Sequence, residues 1–126
     1  MKHLTLLLAV CATAQAAPPE SFFRALHIVE TSGRTGAILG DGGRALGPLQ
    51  IHRAYHADAR IGGDYSRCAD LDYSKRVVSA YLQRYAPQAW ASGDVTTLAR
   101  VHNGGPRGAS KPATVAYGDK VARLTK

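Results

Sequence analysis

The chain is poor in the groups that most often give a small protein away. Its 126 residues include two cysteines, one tryptophan, one methionine and two phenylalanines. They include just two glutamates, Glu20 and Glu30. Cys11 falls in an apolar leader, so a processed chain keeps Cys68 alone and has no internal disulfide. Stability then has to come from packing, and Cys68 is expected to be a small buried apolar residue. No apolar run approaches the ~20 residues of a membrane-spanning helix. No GxSxG elbow or phosphate-binding glycine loop is present. His52 and His56 have helical i, i+4 spacing, but the stretch His52-Arg53-Ala54-Tyr55-His56 lacks the glutamate of a zinc-protease HExxH. The surroundings of Cys68, Ser66-Arg67-Cys68-Ala69-Asp70, carry nothing of a thiol nucleophile site. Metal and nucleophile chemistry are thus disfavoured, and no metal or cofactor is expected.

Negative charge is also scarce. Nine acidic residues stand against sixteen Lys and Arg, a formal +7. The start, MKHLTLLLAVCATAQA, has a basic tip at Lys2, an apolar stretch from Leu4 to Val10, and small residues at Ala14 and Ala16. It predicts a secretory signal peptide over residues 1–16, too short for a stable membrane anchor. Its removal takes away one charge, Lys2, and leaves +6. An exported protein of this charge is drawn to anionic surfaces such as cell-wall polymers. The basic residues are scattered and form no arginine-rich helix, which disfavours nucleic acid as a partner. The expected location is outside the cell or in the periplasm, as a monomer.

Along the rest of the chain, residues 17–20 predict a mobile linker and residues 21–126 one domain. A first helix is expected from Ser21, as N-cap, to Glu30, with Phe22, Leu26 and Val29 in a buried stripe. Phe23, Leu26 and Glu30 share a neighbouring line, so a carboxylate closes an apolar face. Six glycines between Gly33 and Gly47 exclude a helix there. They predict an irregular β-hairpin with a strand at Ala37 to Leu39 and a turn at Asp41-Gly42. A short helix is expected from Gln50 to Arg60. A longer one, capped by Asp70 or Asp72, should run to Tyr85 and stop before Pro87. Another, capped by Asp94, Thr96 or Thr97, should end at Val101 or His102. A last one should run from Pro112 to Leu124, with Gly118 a weak point. The fold class is α+β: mostly helical, with a small glycine-rich hairpin after the first helix.

The scarce carboxylates carry the chemistry. Glu20 belongs to the solvated linker. A Glu30 carboxyl held against hydrophobic groups resists ionisation, and a proton kept near neutral pH is what a general acid needs. Asp41 lies eleven residues on, and a hairpin folded over the helix end would bring it close. Two carboxyl groups flanking a glycosidic bond form the glycosidase apparatus. Each also has a plain structural reading, Glu30 as a cap or a partner of Arg34, and Asp41 as half of an Asp-Gly turn. Near the C-terminus, Arg100 to Gly108 reads RVHNGGPRG, grammar for a helix end and turn.

Three segments in order resemble the invertebrate-type lysozymes, the destabilase family. Gly47-Pro48-Leu49-Gln50-Ile51, followed by Tyr55 and Asp58, is similar to that family's Gly-Pro-aromatic-Gln-Ile signature. Tyr81 to Ala86 is similar to a family helix ending Tyr-Met-x-Arg-Tyr-Ala. Arg100 to Gly108, with Thr114 and Tyr117 beyond, resembles its second signature. The matches cover about half the chain. They place Glu30 at the family's general acid, one residue further from the following glycine than usual, and Asp41 at its catalytic aspartate, with Asp58 as the fallback anion. They also imply a saccharide cleft lined by Gln50, Tyr55, His102, Asn103 and Gly104. Departures are the missing cysteines near Gly33 and before Gly47, and His56 in place of the family's Trp. The resemblance implies a lysozyme-like peptidoglycan hydrolase whose partners are glycan strands and the anionic wall. The alternatives are a lytic transglycosylase-like enzyme using Glu30 alone and a non-catalytic wall-binding protein.

Overall fold

The computed structural model describes residues 17–126, so the leader expected over residues 1–16 lies outside the described residues. Six α-helices and a three-stranded sheet are seen in that span, the mostly helical α+β architecture expected, with the sheet directly after the first helix.

Helix α1 spans Glu20–Thr31. Pro19, extended at φ −69° and ψ 160°, is its N-cap, so the helix starts inside the expected linker and Ser21 falls in its first turn. Glu20 complements the positive end of the helix dipole and is ion-paired with Lys75. Phe22 and Leu26 are fully buried, Phe23 nearly so, and Val29 packs half-buried against the same core. Thr31 fastens the other end: its hydroxyl donates to the carbonyl of Pro48 at 2.8 Å, tying α1 to the segment that follows the hairpin.

Strands β1 (Leu39–Gly40), β2 (Ala45–Leu46) and β3 (Ile51–His52) form an antiparallel meander. Leu39 pairs with Leu46, and Leu46 with Ile51. The first strand starts later than expected because Ile38 donates back to Gly36 in a tight turn. The Asp41-Gly42 turn is present as a single 3-10 turn, Asp41–Gly43. The third strand stands where a helix was expected to begin. Ile51 continues the apolar run of Leu46 and Leu49 into the core, and the helix α2 is confined to Arg53–Ala59.

Helix α3, Leu71–Tyr85, is capped by Asp70, whose carboxylate accepts from the Tyr73 amide at 2.9 Å. Pro87 does end α3, but it also opens α4, Pro87–Ser92, which the sequence reading missed. A proline suits a first helical turn as well as it bars a helix interior. Helix α5, Val95–Gly104, is capped by Asp94 and outlasts its expected end at Val101 or His102. Pro112–Thr114 is a separate 3-10 turn before α6, Val115–Leu124. Gly118 is buried where α6 crosses α5. A Cβ there would lie 2.7 Å from Arg100 Cγ and 3.3 Å from the Thr96 carbonyl, so the expected weak point is a close helix contact. Helix α6 also packs on α1. Cys68 is free and buried, and burial pushes its thiol up to about 11, as expected of a packing residue. Among the described residues no helix is long and apolar enough to cross a membrane.

Candidate active site

Glu30 occupies the last turn of α1, just before the chain reverses. Ser32 adopts left-handed backbone, and the amides of Ser32 and Gly33 close on the carbonyls of Ile28 and His27. These amides therefore do not need Glu30, and Arg34 donates to the Thr31 carbonyl instead. The Glu30 carboxylate is left for a partner the sequence reading missed. Tyr117, from α6, donates its hydroxyl to Glu30 Oε1 at 2.7 Å across 87 residues of chain. Burial raises the Glu30 pKa above its ordinary value, with the Tyr117 hydrogen bond and the His52 charge acting in the opposite sense. The Tyr117 hydroxyl is itself held protonated, chiefly by its burial and then by the charge of Glu30, so it is a permanent donor.

Asp41 opens the turn between β1 and β2 with φ +51°, a left-handed conformation that aspartate tolerates better than most residues. The sheet register explains its neighbours. Gly40 opposes Ala45, Ala45 opposes His52, and the residue after Gly40 is Asp41. Its carboxylate, about half exposed, accepts from Arg44 Nη2 at 3.0 Å and lies 3.1 Å from His52 Nε2. His52 and His56 do not act as a pair: His56 shares a 2.7 Å hydrogen bond with the Tyr73 hydroxyl.

Glu30 and Asp41 line one cavity of about 540 Å³. Tyr55 and His102 also line it; they are joined by a 2.9 Å hydrogen bond, and the Tyr55 ring stacks on Tyr81 at 3.6 Å. Burial lowers the His102 pKa to about 4, against a main-chain hydrogen bond at Leu49 that raises it, so the ring is neutral at pH 7. Asn103 and Gly105, at the C-terminal end of α5, complete the opposite side.

Four of the five expected cleft residues, Gln50, Tyr55, His102 and Asn103, thus line the cavity together with both carboxylates. Two expectations need correction. Gly104 does not line it, because the helix continues through Gly104 and turns that residue towards Thr114; its neighbour Gly105 faces the cavity. Gln50 reaches the cavity but its amide nitrogen is committed, donating to the Ile38 and Gly47 carbonyls at 3.1 and 2.9 Å. A Cβ on Gly40 would stand 1.8 Å from Gln50 Oε1, so Gly40 makes room for this brace. Asp58, the fallback anion, is exposed on α2 and is not part of the cavity wall. His52 is the second residue missed. Its i, i+4 spacing with His56 drew attention to the wrong chemistry, while its place at the end of a strand beside Asp41 had no local signal.

The geometry joins an enclosed carboxyl and an open, cation-flanked carboxylate in one groove, a set able to protonate one side of a bond while stabilising positive charge on the other. No protein-family profile matches the chain. A lysozyme from Ostrea edulis is 39% identical over 84 residues, 63% of this chain and 61% of its own length. Invertebrate-type lysozyme 6 from Caenorhabditis elegans is 34% identical over 95 residues, 66% of this chain and 69% of its own length. The crystal structure of inhibitor-bound lysozyme from Meretrix lusoria superposes with a TM-score of 0.71 at 28% identity, covering 86% of this chain and 91% of that one. The chain spans 43–61% of the length of several curated relatives it matches. Identity above 30% across more than two thirds of a named member, on a shared fold, is a relationship of descent: the chain belongs to the invertebrate-type lysozymes.

Proposed function

We propose that the chain is a peptidoglycan hydrolase that cleaves the β-1,4 bond between N-acetylmuramic acid and N-acetylglucosamine. Glu30 is the general acid and Asp41 the anionic partner. The observation that carries this reading is the contrast between the two carboxyl groups within one cavity, one enclosed and with a raised pKa, the other exposed between the Arg44 guanidinium and the His52 ring. Relatives named lysozymes support the substrate class.

Glu30, still protonated, gives its proton to the departing glycosidic oxygen. Positive charge then develops at the anomeric carbon, and Asp41 either stabilises it or bonds to it. Glu30, now ionised, draws a proton from the water that completes hydrolysis. Tyr117 supports that ionised form through its hydrogen bond and keeps the carboxyl aimed into the groove. Tyr55, His102 and Asn103 offer ring and polar contacts to the sugars, and Gly105 lets a sugar approach the main chain closely. A leader over residues 1–16, and the surplus of positive charge that remains without it, fit an exported enzyme that dwells on anionic walls.

Digestion of purified sacculi followed by mass spectrometry of the products tests the reading. Reducing-end muropeptides are expected from the wild-type protein and none from Glu30→Gln. Anhydro-muramic ends would instead mark a transglycosylase, and full activity in the variant would remove Glu30 from the reaction. Pelleting on sacculi without any cleavage would mark a wall-binding protein.

A further inference from the structure

A second cavity of about 500 Å³, which the reaction just described does not use, adjoins the first at His52. His52 lines both, and Arg44, which lines the second, holds Asp41 of the first. Its wall carries the guanidinium of Arg53, set 4.5 Å above the Tyr65 ring. That ring is itself anchored, since the Tyr65 hydroxyl donates to the Ile51 carbonyl at 2.6 Å. Apolar surface comes from Leu39, 68% exposed, together with Leu46 and Ala54. One carboxylate, Asp64, faces the same space and accepts from the Ser66 amide at 2.8 Å. Two arginines, one aspartate and small apolar walls do not suit a neutral sugar. They suit a short peptide with carboxylates, one amine and methyl side chains.

We propose that this second cavity binds the peptide branch of the glycan substrate, with Arg53 and Arg44 on its carboxylates, Asp64 on its amine, and Leu39 and Leu46 against its alanine methyls. The inference rests on the glycan reading of the first cavity. A muramic sugar in that groove carries its peptide on the lactyl arm, and His52, shared by both linings, sets the two cavities side by side. Arg53 is the informative residue because it belongs to this cavity and not to the catalytic groove. Its guanidinium is held in place by Tyr65, so less side-chain freedom is lost on binding.

The test compares kcat/KM of wild type, Arg53→Gln and Arg53→Lys on two substrates, peptide-bearing glycan strands and strands freed of peptide by an amidase. Arg53→Gln should lose about fivefold on the peptide-bearing strands, the scale of one partly exposed charge contact, and nothing on bare strands. Arg53→Lys should recover part of the loss. Equal losses on both substrates, or none on either, overturn the proposal. Calorimetric titration with the free peptidoglycan tetrapeptide decides the site independently of turnover. Binding by wild type that is weakened in Arg53→Gln supports it even if neither glycan is cleaved, an outcome that would sink only the hydrolase reading. No binding by wild type overturns it.

Discussion

The two sides of the groove are built on opposite principles. Glu30 sits at the end of a twelve-residue helix whose inner face is core, and it is held by a tyrosine from the last helix. Asp41 sits in a three-residue turn flanked by glycines, about half exposed, with its partners supplied by its own hairpin. Burial makes the first carboxyl reluctant to ionise, whereas the second lies in the open beside the Arg44 guanidinium and the His52 ring. One scaffold thereby sets an enclosed and an open carboxyl group along the same cavity. Rigidity is distributed to match. Glu30 borrows it from the whole domain, whereas the Asp41 hairpin has a local brace, the Gln50 amide that ties Ile38, just before β1, to Gly47 in the β2–β3 connection.

Breaking the buried side should have the largest effect. On the proposed mechanism Glu30→Gln removes the proton donor and should lower turnover of peptidoglycan about a thousandfold, measured by release of reducing ends, with the fold intact by circular dichroism. Asp41→Asn should cost about a hundredfold in the same assay, since the variant keeps shape and loses charge. Undiminished activity there would show that Glu30 works alone. Next comes the brace: Gln50→Ala should destabilise the protein by about 1–2 kcal/mol, read by thermal unfolding, and should reduce activity by freeing the Asp41 turn while leaving the pH profile of Glu30 in place.

The smallest and most discriminating effect is a shift in pH. The proposed mechanism requires protonated Glu30, so activity should fall as pH rises through the Glu30 pKa, above the ordinary glutamate range. Tyr117 donates to the ionised carboxylate and therefore lowers that pKa. Tyr117→Phe removes the donor, Glu30 keeps its proton to higher pH, and the basic limb of kcat/KM should move upwards. A limb that moves down, or stays, would separate Tyr117 from the titrating acid.

Much of this comparison was legible beforehand in particular residues. The stripe of Phe22 and Leu26 marked α1 and put Glu30 at its inner end. Clustered glycines marked the hairpin, and the cap candidates Asp70 or Asp72, and Asp94, Thr96 or Thr97, marked two helix starts, of which Asp70 and Asp94 are the caps. Local grammar failed where one residue serves two structures. Pro87 ended one helix and began another, and the Asn103-Gly104 pair that looks like a stop was absorbed into α5. Ile51 and His52 fell inside the helix expected from Gln50 to Arg60, and became a strand because Leu46 and Ala45 offered partners.

The sequence alone settled which groups are available: one glutamate on an apolar helix face, an aspartate among glycines, a surplus of positive charge and a single cysteine among residues 17–126. These follow from composition and short-range periodicity. Tertiary structure decided what each group meets. Tyr117 reaches Glu30 because α6 folds back across α1, and His52 reaches Asp41 because a third strand joins the sheet. Such meetings depend on closing long loops and on packing between distant segments, and no local pattern encodes a partner 87 residues away.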